Sequence, residues 1–200
     1  MPDRRPTTRA KKGERRRQWL EQAFALFVRQ GYAATTLDQI AGAAAVKPSV
    51  LARSFKTKAS LVRGVAEAFG ERVLAIPQDV PEPMAKLNVF VESFRREMRL
   101  PASPGRVLLR LLAEAPAEVV PAINDALEPG LTNLAGLIQT GQQAGVFRRS
   151  LEPRHTAWEL LRSLFGLALL DGLEPAPLTD PDHPPAALEC LLQGLLKTDV

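Results

Sequence analysis

The chain has 200 residues, about 46% of them apolar and 24% charged, which is the make-up of an ordinary globular protein and excludes a disordered tail protein. Its net charge of +4 hides a strong asymmetry: residues 1–63 hold 14 Lys/Arg against 4 Asp/Glu, and residues 64–200 hold 12 against 18. A single cysteine, Cys190, excludes an intrachain disulfide framework and a multi-cysteine zinc site, and reads as a small core residue.

The Arg-rich start is not followed by a signal-type apolar stretch, and the charge-free run Ser163 to Leu170 is too short to span a bilayer. The expected compartment is a reducing cytoplasm, with no membrane contact. A basic first third on an acidic remainder suggests a polyanion-binding module joined to something else. The densest cluster is Arg4, Arg5, Arg9, Lys11, Lys12, Arg15, Arg16 and Arg17. Residues 1–12 are expected to form a disordered basic arm, for which a merely solvated tail is the alternative.

The 17 prolines mark the architecture, because only Pro48 falls between residues 7 and 76. No segment sustains the alternation of a strand, whereas Leu20, Ala23, Phe24 and Phe27 follow one helical face and Leu61, Val65 and Phe69 another. The chain is read as all-α. The first helix is expected from about Arg15 to Gln30, with Gly31 as its positive-φ end. Thr36-Leu37-Asp38-Gln39 reads as a capping box opening a short helix from Leu37 to Ala44. Pro48 suits the first turn of a third helix ending near Phe55, and Thr57 can cap a fourth from Lys58 to about Leu74. Two short helices joined by a tight turn after a longer one make a helix-turn-helix, which places its second helix in the DNA major groove. Phe24, Phe27, Leu51 and Phe55 are read as the core of this small domain.

Pro77, Pro81 and Pro83 break the helical pattern and separate a DNA-binding domain at 13–76 from a C-terminal domain at 84–200. In the latter, helices are expected at Met84–Leu100, Pro104–Ala115, Ala117–Gly141, Pro153–Asp171 and Pro185–Lys197, with Pro129 kinking or dividing the third. Trp158 to Leu170 leaves little polar face and must be buried on several sides. With Leu188 to Leu196 it suggests an isologous homodimer contact through the last two helices; a monomeric core is the alternative. Phe90, Phe94, Met98, Leu108, Ile123, Leu127 and Trp158 supply bulky apolar side chains for an effector pocket in this bundle, or else for a solid core. Asn124 or His155 would be its polar group.

The segment from Trp19 to Val62 resembles the N-terminal domain of the TetR family of transcriptional regulators. The resemblance rests on Trp19-Leu20, Leu26-Phe27, Gly31-Tyr32, Thr35-Thr36, Ile40-Ala41, Ala44-Ala45-Val46-Lys47, Leu51 to Phe55 and Thr57-Lys58, kept at ungapped spacing. Gly145 to Arg148, Leu151-Glu152-Pro153 and Leu164 to Leu167 look like the approach to that family's penultimate helix. What the resemblance implies is about nine helices, a homodimer, a double-stranded, pseudo-palindromic DNA operator, and usually a small apolar effector that releases a repressor. This chain departs from the pattern. Ala45 stands where the turn glycine is usual, Lys47 where a cap serine is usual, and Ala52 and Ser54 where a tyrosine and a histidine commonly touch phosphates.

The expected DNA-binding residues are therefore Thr35, Thr36, Lys47, Pro48, Ser49, Ala52, Arg53, Ser54 and Lys58. Thr35 and Thr36 lie at a helix N-terminus, where phosphate is favoured. Ser49 and Arg53 suit base edges. Lys58 suits a phosphate, and Lys47, Arg53, Lys56 and Lys58 together replace the charge of the lost aromatic and histidine. The lost positions also leave open a protein-interaction module with the same fold and weakened DNA readout. His155 and His183, the only histidines, lack partners at metal-ligand spacing, and no glycine-rich phosphate loop follows a strand. No enzyme, metal or cofactor is implied. Deleting residues 1–14, which carry five Lys/Arg, should flatten the slope of log affinity for DNA against log salt and leave sequence preference intact; binding titrations at several salt concentrations check this.

Overall fold

The computed structural model describes residues 8–101, 103–114, 116–170 and 186–196. Those residues form nine α-helices and one 3-10 turn: α1 (Thr8–Ala34), α2 (Leu37–Ala43), α3 (Pro48–Ser54), α4 (Lys58–Val73), α5 (Pro83–Arg99), α6 (Pro104–Glu114), the turn at Ala117–Val119, α7 (Val120–Gln143), α8 (Pro153–Leu170) and α9 (Ala186–Gln193). No strand occurs among them. A single antiparallel bridge joins Phe147 to Leu196, so the fold is all-α.

The helix starts follow the local chemistry of the sequence. Thr36 accepts from the Gln39 amide while the Gln39 side chain accepts from the Thr36 amide, which completes the capping box. Thr57 and Ser60 repeat the device at α4. Pro48 opens α3, where Lys47 offers no side-chain cap. Several expectations change. Residues 8–12, assigned to an unfolded arm, continue α1, because nothing in them stops a helix; residues 1–7 lie outside the described residues. Pro129 does not divide α7. It is exposed, so the carbonyl left without its amide faces water. Pro185 and His183 lie outside the described residues, and α9 is shorter than expected. Cys190 is exposed rather than core, because α9 turns Leu188 inward two residues earlier.

The end of α2 carries a backbone strain. The Val46 amide donates to the Ala41 carbonyl and the Ala45 amide to the Gly42 carbonyl, the paired bonds of a Schellman ending. Such an ending needs a left-handed residue, and here Ala45 takes it at φ 52. The end of α7 makes the same pair of bonds with Gly145 at φ 75, where no Cβ resists.

The core is continuous from the small N-terminal domain into the bundle. α4 is its hub, packing most extensively on α7 and then on α6, while α6 also lies along α1. At the centre, Phe69 of α4, Phe94 of α5 and Phe165 of α8 stack with ring centroids 5.2 to 6.1 Å apart. Glu97, nearly fully buried on α5, accepts from the Gly105 amide at 3.0 Å and pairs with Arg72 of α4 at 3.4 Å. One carboxylate thus ties α4, α5 and the first turn of α6, where a negative charge also suits the helix dipole.

Ala45→Gly should stabilise the protein by about 0.5–1 kcal/mol, the left-handed penalty of alanine less the greater entropy glycine loses on folding. Ala45 is exposed, so no packing is lost, and denaturant unfolding measures the gain.

Candidate nucleic-acid interface

Among the described residues, the exposed face of the second helix of the helix-turn-helix is the chemically distinctive surface of the N-terminal domain. Leu51 and Phe55 are buried and fix α3 against the core. That choice turns Ser49, Ala52 and Arg53, spaced i, i+3 and i+4, to the outside, with Lys47 and Pro48 at its start and Lys56 just beyond its end. Ser54 is half-buried beside them. Arg53 makes no ion pair among the described residues and is exposed. A helix so presented fits a major groove, where arginine can donate to guanine and serine can bond several bases. Ala52 brings only a methyl group, so its share of any readout is apolar contact. Behind this face, Arg16 of α1 lies 4.8 Å over the Phe55 ring and pairs with Glu67.

The other expected contacts are placed differently. Thr35 is 1% exposed, and its hydroxyl donates to the Gly31 carbonyl at 2.7 Å; it is turned into the protein and does not face a phosphate. Thr36 is exposed and has its capping bonds. Lys58, expected to meet a phosphate, folds inward. Its Nζ donates to the carbonyls of Tyr32 at 2.7 Å, Thr35 at 3.0 Å and Ala33 at 3.5 Å, and it lies 4.1 Å over the Tyr32 ring. Burial pushes its pKa below the ordinary lysine value. An ammonium has three donors, and these carbonyls use all three.

The reason is the end of α1. Gly31 breaks the helix with φ 81, and a Cβ there would sit 2.9 Å from Glu114. The carbonyls beyond it leave the regular helical ladder, although that of Tyr32 still accepts from the Thr35 amide at 3.3 Å. Thr35 serves Gly31, Gln30 serves Ala34 at 2.9 Å, and Lys58 serves the other three. Arg110, from α6, donates to Val28 and pairs with Glu114 at 2.8 Å. Nothing in the sequence singled out Arg110, because its partner lies 82 positions earlier.

Among the described residues, most of those expected to line an effector pocket pack into the core. Phe90, Phe94, Met98, Leu108, Ile123 and Leu127 are buried in the core, and Trp158 is half-buried with Arg162 over its ring at 5.3 Å. None of the seven lines either described cavity. Phe69, from α4, which the sequence reading did not place there, and Phe165, from the helix of Trp158, pack around Phe94. Asn124 and His155 are both exposed.

A long first helix, a rigid helix-turn-helix with a free basic face and a larger helical bundle behind it define a DNA-binding regulator of helix-turn-helix type. Residues 20–65 match the family model for bacterial regulatory proteins of the tetR family, a stretch that begins within α1 and ends within α4. By this stretch the N-terminal domain is similar to the DNA-binding domain of that family. Solved structures share the fold along nearly the whole chain. A TetR-family transcriptional regulator from Vibrio parahaemolyticus is 19% identical, with 92% of this chain and 100% of that chain covered and a TM-score of 0.71. The SmeT–triclosan complex is 20% identical over 92% of each chain, with a TM-score of 0.68. AibR in complex with isovaleryl coenzyme A and operator DNA is 21% identical over 90% of this chain and 95% of that one, with a TM-score of 0.57. No curated protein matches the sequence. No helix among the described residues is long and apolar enough to cross a membrane.

Lys58→Ala should lower unfolding stability by about 1–3 kcal/mol, since it strips a charged donor from half-buried carbonyls. Arg53→Ala should stay within about 0.5 kcal/mol of the parent, as an exposed residue with no ion pair among the described residues. Urea titrations of the two variants read the contrast.

Proposed function

We propose that this protein is a homodimeric, sequence-specific transcriptional repressor that binds a pseudo-palindromic operator and is released by a small apolar effector. The observation that carries the reading is the exposed Ser49–Ala52–Arg53 face, flanked by Lys47 and Lys56 and presented by a helix whose other side is fixed in the core. Thr36, Pro48 and Ser54 border this face, and the exposed amide end of α2 beside Thr36 suits a phosphate.

The dimer is assigned to α8 and α9. Leu169 and Leu170 are 61% and 50% exposed, Trp158, Leu167 and Ala168 are half-buried, and on α9 Leu191 and Leu192 are half-buried. A second copy would cover these positions through the same surface. Two-fold symmetry of the protein then calls for half-sites about one helical turn apart.

Effector release is supported by the fold shared with SmeT bound to triclosan and AibR bound to isovaleryl coenzyme A. With the bundle core closed around Phe94, an effector acts by favouring a conformation in which that core opens, and thereby disfavouring the one that binds DNA.

Selection of genomic DNA fragments by the purified protein at physiological salt tests the reading. One enriched, two-fold symmetric sequence is expected. Ser49→Ala and Arg53→Ala should each weaken binding to that sequence by about 1–3 kcal/mol and relax preference at one position per half-site. Recovery of no sequence preference at all would favour a protein-interaction module instead.

A further inference from the structure

α9 has eight residues, too few to persist alone, and among the described residues it packs only lightly on the other helices. Two side chains, Leu188 and Leu195, seat it in the core. The rest of its hold is on the loop between α7 and α8. Phe147 of that loop forms the antiparallel bridge with Leu196. The Arg148 amide donates to the Leu195 carbonyl at 3.0 Å, and the Arg148 Nε donates to the Leu196 carbonyl at 2.8 Å. Both acceptors lie just past the C-terminal end of α9, where a cation is favoured. The loop is itself fixed. Phe147 is 1% exposed, and its amide donates to the Gly141 carbonyl at 3.1 Å. The Gln142 Nε2 donates to the carbonyls of Arg148 at 2.9 Å and Leu151 at 2.7 Å. Arg148 is half-buried and makes no ion pair among the described residues, so its guanidinium is committed to the chain end rather than to a carboxylate.

We propose that Arg148 is a positioning residue for the homodimer surface. By latching the chain at Leu195 and Leu196 it holds α9, and with it the half-buried Leu191 and Leu192, where a second copy can cover them. The inference rests on the assignment of the dimer to α8 and α9. Apolar burial has no direction, so Leu188 and Leu195 alone leave the rotation and register of a two-turn helix loosely set. Hydrogen bonds to two successive carbonyls set both, because each requires its own distance and angle.

The test is sedimentation equilibrium of the full-length protein and its variants, each checked by circular dichroism to be folded at the temperature used. The parent should be dimeric. Leu170→Glu, at the other end of α8 from the loop, should weaken the dimer by placing a charge in its surface. Arg148→Ala should raise the dimer dissociation constant about tenfold, the loss expected of one hydrogen bond from a charged donor. Arg148→Lys, which keeps a charged donor, should recover most of that loss. Arg148→Gln, which keeps only a neutral donor, should fall between the two and carries the same test if Arg148→Ala does not fold. A dimer weakened by Leu170→Glu but indifferent to Arg148→Ala and Arg148→Gln would overturn the proposal and leave the dimer assignment standing. A monomeric parent, or a dimer indifferent to Leu170→Glu, would overturn the assignment to α8 and α9 and the proposal with it.

Discussion

The entry into the helix-turn-helix is held in place by side chains that bind the carbonyl groups at the end of α1. Gly31 kinks that helix at φ 81, and the carbonyls beyond it leave the regular helical ladder on the way to α2, although that of Tyr32 still accepts from the Thr35 amide at 3.3 Å. Unpaired and partly buried, they would carry the full cost of desolvation. Side chains meet this need locally from Thr35 and Gln30 and from α4 through Lys58, while Arg110 of α6 donates to Val28 just before the kink. One corner thereby joins the start of the helix-turn-helix to the hub of the fold and to the first long element of the bundle that touches it.

This arrangement separates positioning from presentation. α2 and α3 are only seven residues each, too short to persist alone, and their geometry depends on Ile40, Ala41, Leu51 and Phe55 packing inward. Once those residues are seated, the outer face of α3 owes nothing to stability and is free to carry whatever chemistry a partner requires. The turn between the two helices shows the cost of departing from glycine. Ala45 makes the same hydrogen bonds as Gly145 does elsewhere in the chain, but with a methyl group where the backbone favours none.

Between the corner and the bundle, α6 is the mechanical link. Its N-terminus is tied by Glu97 to α5 and α4, and near its other end Arg110 grips α1. Contacts at both of its ends tie the position of α6 to the bundle on one side and to α1 on the other. The aromatic cluster of Phe69, Phe94 and Phe165 joins α4, α5 and α8 in a single packing unit.

Much of the N-terminal domain was legible in the sequence because its signals are local. Thr36 and Gln39 are three residues apart, Gly31 supplies its own φ, Pro48 opens a helix by its ring, and helical periodicity separates Leu51 and Phe55 from Ser49 and Arg53. These depend on chemistry within one or two turns, and any chain carrying them meets the same constraints. The fates of Thr35 and Lys58 were not legible. A threonine at a helix start or a lysine at the head of α4 has equal capacity for a phosphate or a carbonyl, and only the folded corner, with acceptors 23 to 26 positions away from Lys58, fills its three donors. The bundle positions around Phe94 likewise read as apolar without revealing their neighbours; in the fold Phe69 of α4 and Phe165 of α8 pack against Phe94. The sequence by itself determined the helices, their caps and the basic face of α3, because those follow from neighbours along the chain. The tertiary structure alone decided which polar groups are already satisfied and which apolar groups are already packed, because hydrogen bonds and close packing are made by whatever the fold brings within reach.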